Sequence, residues 1–181
     1  KGDVNNSSKK LKSDLNFTTY KLNVFGILNS FGSTSLGYQI FGMYNIGALP
    51  FQNLYSVNGN IDILSQNFSF RTLGVNQIVG GKVATINLEY YFGSELFRIM
   101  RIPKLKDWEI QLTIFLNSAF SKVGNETKSI LQTPVNTFNH PFYEIGFGIG
   151  HALFPLQLEF AWKLNYRDND NFKIGINALI F

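Results

Sequence analysis

The feature that most constrains this chain is a strict alternation of apolar and polar residues, sustained over unusually long segments. In "YKLNVFGIL", Tyr20, Leu22, Val24, Gly26 and Leu28 share one face. In "SLGYQIFGMYNIG", Leu36, Tyr38, Ile40, Gly42, Tyr44 and Ile46 do so, against Ser35, Gly37, Gln39 and Asn45. "KVATINLEYYF" sets Ala84, Ile86, Leu88, Tyr90 and Phe92 against Thr85, Asn87 and Glu89. "WEIQLTIFLNSAF" and "LQLEFAWKLN" repeat the pattern, the second with Gln157, Glu159, Ala161 and Lys163 on the polar side. A repeat of two residues is the period of a β-strand, not of a helix. Segments of ten or more residues exceed the usual soluble strand of about five or six. They match the roughly 9–11 tilted residues with which a strand crosses a bilayer.

Composition supports the same class. Charged residues make up 15% of the 181-residue chain and aromatics 15%, with 18 Phe. A soluble domain carries about 25% charged residues. Neutral mean hydropathy is what strands with one lipid face and one polar face would average. The net charge is only +4, and the basic residues cluster at Lys9, Lys10 and Lys12 near the start and at Arg98, Arg101, Lys104 and Lys106 in the middle. Two short clusters do not make a nucleic-acid face. Cysteine is absent, which excludes disulfides and thiolate metal sites. No apolar run is long enough for a transmembrane helix.

Seven strands are expected, over 16–29, 34–46, 81–92, 108–121, 142–152, 156–165 and 171–180. Their connections alternate in length. The links 29–34 and 153–155 are short, while 47–80, 122–141 and 165–171 are longer. Outer-membrane barrels show this asymmetry, with short periplasmic turns and long extracellular loops. The link 93–107 interleaves Leu96, Phe97, Ile99, Met100 and Ile102 with Arg98, Arg101 and Lys104. Such a segment suits a membrane interface, and Pro103 limits any helix in it to about two turns.

The fold expected is therefore all-β, an antiparallel transmembrane β-barrel. Residues 1–15 read as a polar extracellular loop or tail, and 16–181 as barrel strands with an inward-folding loop over 47–80. Single-chain bacterial barrels use even strand numbers. Seven strands thus imply a further strand, either within 54–65 or upstream. The chain reads as the C-terminal part of a larger barrel, or as a small barrel of about eight strands.

The order of parts resembles a known family. "FSFRTLG" is followed by "GGKVATINLEYYF", "EIQLTIFLNSAF", "FYEIGFGIGHALFPLQLEFAWKLN" and "NFKIGINALIF". Over roughly residues 35–181 this is similar to the C-terminal half of the bacterial surface antigen superfamily. These are outer-membrane assembly and translocation barrels of the BamA/TamA type, and the flavour resembles the Bacteroidota branch. In that family the last large extracellular loop folds into the lumen carrying an Arg-Gly-aromatic motif, and an acid on the next strand faces it. By resemblance Arg71 is the motif arginine and Glu89 the inward acid. Thr72 and Leu73 replace the motif's glycine and aromatic, and Asn117 stands where the family has a second acid. The three form the expected loop lock, since a buried guanidinium requires an acidic partner. Phe181 is the expected C-terminal assembly signal. It stands one step out of phase with Phe172, Ile174, Ile176, Ala178 and Ile180, which a β-bulge would correct.

The resemblance implies a function at the bacterial outer membrane, inserting or exporting polypeptides. The implied partners are outer-membrane lipid, unfolded polypeptide clients, and the barrel assembly machinery or a partner chain completing the barrel, with no nucleic acid. Two alternatives are a passive structural or channel-forming barrel and a subunit completed by a second chain.

"FYEIGFGIG" fails as a dinucleotide loop because Pro155 and another strand follow it, not a helix. It reads as a strand with Tyr143, Ile145, Phe147 and Ile149 toward lipid. Glu144, Gly146, Gly148 and Gly150 face inward, and the space left by this glycine row is expected to receive the Arg71 loop. His140, His151 and Glu144 are a weak metal set, so no metal or other cofactor is expected. His151 with Ser118 or Ser121 is a weak nucleophile pair, and Glu89, Glu144 and Glu159 are scattered over three strands. No catalytic residue and no enzyme activity are expected.

Overall fold

The computed structural model describes residues 1–7, 16–101, 109–167 and 170–178. The long alternating segments form one large, mostly antiparallel sheet. Its strands are β1 (Gly2–Ser7), β2 (Phe17–Asn29), β3 (Ser35–Gly47), β9 (Lys82–Gly93), β10 (Ile110–Lys122), β11 (Phe142–His151), β12 (Phe154–Lys163) and β13 (Phe172–Ala178). Short pieces lie between β3 and β9: β4 (Tyr55–Ser56), β5 (Gly59–Asn60), β6 (Leu64–Ser65), β7 (Phe70–Gly74) and β8 (Val79–Gly80). The order across the large sheet is β1-β2-β3-β9-β10-β11-β12-β13-β6. Among the described residues its two ends are not joined. No helix among them is long and apolar enough to cross a membrane.

Each wall strand has an outer and an inner face, because side chains alternate along a strand. In β9, Ala84 and Ile86 are exposed while Val83, Thr85, Asn87 and Glu89 are buried. In β11, Tyr143, Ile145 and Ile149 are exposed while Glu144, Gly146 and Gly148 are buried. One end of the sheet carries the turn 30–34, the tight turn at 152–153 and the link 94–109. The other end carries the long connections 48–81 and 123–141. The loop 48–81 lies over the inner face.

Two expectations need correcting. Residues 1–15 read as loop or tail, yet Gly2–Ser7 is a strand paired with residues 17–22 of β2, and the Lys1 amino group donates to the Asn23 carbonyl. The polar, asparagine-rich composition hid it, since asparagine is depleted in strands. The region 54–65 supplies no long wall strand: β4 and β5 pair inside the loop with β8 and β7, and β6 joins the large sheet beside β13 at two positions only. The eighth strand of six residues or more in the sheet is β1.

The link after β9 begins with helix α1 (Glu95–Ile99). Buried Glu95 accepts from the Ser33 backbone N–H at 3.3 Å, the Ser33 hydroxyl at 3.0 Å and the Arg98 guanidinium at 2.6 Å. That ties the link to the turn 30–34. Arg98, Ile99 and Met100 face solvent. Pro103, Lys104, Lys106 and Trp108 lie outside the described residues, as do Lys9, Lys10 and Lys12.

Candidate functional site: a buried ionic tier under the inner loop

The inner face has two tiers. Near the long-loop end it is apolar. Phe41, Met43, Val83, Ala119 and Phe142 from the wall meet Leu49, Val57, Phe70, Leu73 and Ile78 from the loop, with Phe138 from the connection 123–141. The Phe138 ring stacks on Phe142 at 4.9 Å, and Phe70 lies 5.9 Å from Phe142. One step down each wall strand the face turns polar. Gln39, Asn87, Asn117, Glu144 and Lys163 are successive register partners across β3, β9, β10, β11 and β12.

Arg71 enters this polar tier from β7, whose alternation sends the neighbouring Phe70 into the apolar tier. The guanidinium is buried and meets two carboxylates. Its Nη2 lies 2.7 Å from Glu89 Oε1. Its Nε and Nη2 each donate to Glu159 at 3.0 Å, the two-pronged geometry that makes Arg–carboxylate pairs strong and directional. Nη1 donates to the Ser69 carbonyl at 2.7 Å. The Phe115 ring lies under the guanidinium carbon at 4.2 Å, a cation–π contact. Burial alone would lower the Arg71 pKa, but Glu89, Glu159 and Glu144 more than reverse this and raise it above its ordinary value. The side chain is a permanent cation at the centre of the site.

Glu144 does something different. Its carboxylate accepts the backbone N–H of Arg71 at 3.0 Å and of Thr72 at 2.6 Å, and the Thr72 hydroxyl at 2.5 Å. It therefore grips the loop's main chain rather than its charge. Asn117 donates to Glu144 Oε1 at 2.9 Å and to the Ser69 carbonyl at 3.0 Å, and accepts from Asn87 at 3.0 Å. Glu89 also accepts the Phe68 backbone N–H at 2.8 Å and the Tyr91 hydroxyl. Phe68 has φ 58, an uncommon backbone state for a bulky side chain, held here by that hydrogen bond. Glu159 further accepts from Ser65 and from Asn177 at 3.1 Å. Among the described residues no buried side-chain polar atom lacks a partner.

The structure thus brings Arg71 and Glu89 into direct contact, and Asn117 into the same network. The sequence reading scattered Glu89, Glu144 and Glu159; they converge on one loop segment. Asn117 loses nothing as an amide, because the acids come from β11 and β12. The only legible signal for this was that each Glu sits on the inward phase of its strand.

The glycine row is used differently from expectation. A Cβ at Gly146 would lie 2.2 Å from the Phe115 ring and 2.3 Å from the Phe160 carbonyl oxygen, and one at Gly148 would overlap the Gln157 side chain. Neighbouring wall side chains take the space, not the loop. The link to Arg71 is indirect: Gly146 admits Phe115, and Phe115 carries the guanidinium. Gly150 is half-buried near the end of β11. Phe181 lies outside the described residues.

The weaker candidates come apart. His140 is exposed just before β11 and His151 ends that strand, so ten residues, or roughly 30 Å of strand, separate them. Ser118 pairs with Tyr143 near the long-loop end, while His151 pairs with Ile110 at the other. A cavity of about 440 Å³ opens below the ionic tier, lined in part by Ile27, Ser35, Phe68, Tyr91, Gln111 and Thr113. Comparison with protein-family models and with characterised proteins gives no match.

Proposed function

We propose that this chain is wall and inner plug of an outer-membrane barrel that helps polypeptides insert into, or cross, the bacterial outer membrane. The carrying observation is the ionic tier, where one loop is fixed to β9, β11 and β12 through Arg71, Glu89, Glu144 and Glu159. A loop held this way braces the wall from inside. Outside, the wall presents Tyr20, Leu22, Tyr44, Ile86, Ile114, Ile145, Leu158 and Trp162 to the surroundings, an apolar surface suited to lipid.

The mechanism proposed uses the edge of β13, which among the described residues meets β6 at two positions. Exposed strand edges template added strands. A client strand would pair at such an edge, fold against it and be released to the membrane. The loop anchored across the inner face favours this over a passive channel, which needs a continuous water path.

The test is insertion of an unfolded barrel client into liposomes with and without the protein. Acceleration of folding is expected. No acceleration, together with steady single-channel conductance, would replace this reading with the pore. One alternative is a subunit completed by another chain. The native mass of the complex in mild detergent distinguishes it, since a lone monomer would sink it.

A further inference from the structure

The outer face of the wall changes character at its long-loop end. Lys82 opens β9 straight after the loop 48–81, and Lys122 closes β10 just before the connection 123–141. The two are register partners, directly opposite each other. Both lie on the outward phase, with Ala84 and Ile86 in β9 and Ile114 and Leu116 in β10. The same row continues through Tyr44 of β3 and Tyr20 of β2. Lys82 Nζ stands 4.4 Å from the centre of the Tyr44 ring and donates to the Tyr44 hydroxyl at 3.3 Å.

Like charges directly opposite each other on a sheet repel and cost stability. Among the described residues neither lysine forms a salt bridge that would offset this. Glu126, in the short helix α2 (Asn125–Ile130), borders the same hollow as Lys82 without pairing with it. An ammonium group has three donors, and Lys82 spends one on Tyr44. Below the lysines the wall is apolar and has a gap. The next outward row runs Leu22, Gly42, Ala84 and Phe120. A Cβ at Gly42 would meet nothing within 4 Å. A hollow of about 300 Å³ opens there, lined in part by Tyr20, Leu22, Gly42 and Tyr44.

We infer that Lys82 and Lys122 clamp the anionic phosphate of a lipid headgroup on the long-loop side of the wall, with an acyl chain seated in the hollow at Gly42. This rests on the reading of the wall as lipid-facing. A phosphate between two opposed ammonium groups turns their repulsion into attraction, because its oxygens accept charge-assisted hydrogen bonds from both. The hollow lies one row deeper into the apolar wall, where the chain of a lipid so held must run. Free phosphate would use the lysines and leave the hollow empty, so a lipid is the occupant that fits both.

The probe is phosphatidylglycerol against phosphatidylcholine, offered to the detergent-solubilised protein, with bound lipid counted by native mass spectrometry. Phosphatidylglycerol should be preferred. Lys82→Gln and Lys122→Gln should each weaken that preference about fivefold, the worth of one basic residue at a membrane surface. Lys128→Gln removes an exposed charge from α2, off the wall, and should change nothing. Equal loss from all three variants would mean diffuse attraction and overturn the clamp, as would no preference in the unaltered protein. Gly42→Leu keeps every charge and fills the hollow, so it should lower retention of both lipids, and unchanged retention would overturn the acyl seat. Millimolar inorganic phosphate should leave the lipid bound; displacement would make the free ion the ligand. Flotation with phosphatidylcholine vesicles tests the wall separately. Protein that stays behind would sink the lipid-facing wall and the clamp with it, whereas protein that floats without a phosphatidylglycerol preference would sink the clamp alone.

Discussion

The two tiers of the inner face hold the same loop by different physics. In the apolar tier, Phe70, Leu73 and Val57 are held by burial against Phe142 and Phe138, which is strong but has little directional preference. In the ionic tier, Arg71 and Thr72 are held by carboxylates at fixed positions, where a shift of an ångström breaks several hydrogen bonds together. The apolar tier supplies adhesion, and the ionic tier selects which loop residue sits where. The division follows from alternation in β7, where Phe70 and Arg71 are adjacent and point to different tiers.

The largest expected effects come from one truncation in each tier, and they should part company on rescue. Arg71→Ala strands buried carboxylates and should cost about 3–5 kcal/mol. Phe142→Ala leaves a cavity and should cost a similar amount, about 3–5 kcal/mol. Adding Glu159→Gln should recover part of the Arg71→Ala loss, because it removes a buried uncompensated charge. It should recover none of the Phe142→Ala loss. Urea titrations in detergent micelles would show this, and equal rescue in both backgrounds would break the distinction between the tiers.

Alone, Glu159→Gln keeps the shape, but its amide nitrogen cannot accept, so one of the two hydrogen bonds to Arg71 is lost and the other loses its charge. It should cost about 1.5–3 kcal/mol in the same titration. Gly146→Ala tests the indirect support of Arg71. The methyl group must push the Phe115 ring aside and also displace the Phe160 carbonyl of β12, and a cost of about 3 kcal/mol or more is expected. If the ring carries the guanidinium, Phe115→Leu, which removes the ring without touching the β11–β12 backbone, should speed proteolysis of the loop 48–81. An unchanged cleavage rate in that variant would mean that Phe115 only fills space.

The smallest effect expected is that of Thr72→Val, which deletes one donor to Glu144 and keeps the backbone bonds. It should cost about 0.5–1.5 kcal/mol. A far larger loss would show that the hydroxyl, not the two N–H groups, anchors the main chain.

Much of the wall was legible because its code is local. A period of two needs only neighbours along the chain, so seven strands and their inward residues could be read, Glu89, Glu144 and Glu159 among them. β1 was missed for the converse reason. Its residues do not alternate, and it is a strand because β2 offers an edge to it. The loop's short strands are equally invisible, being two-residue pairings set by where the loop lies.

The sequence by itself determined which residues of the wall face inward, and that a buried arginine would need an acid. Only the tertiary structure decided which acids those are. Arg71 and Glu159 are 88 residues apart in the chain, and Arg71 and Glu144 73. They meet because sheet register sets the height of each strand and the inner loop stops at one depth. The same holds for the glycine row: its inward phase was local, but its filling by Phe115 and Gln157 depends on side chains leaning across from neighbouring strands. Alternation encodes a face, whereas partnership across a face is a property of the assembled sheet.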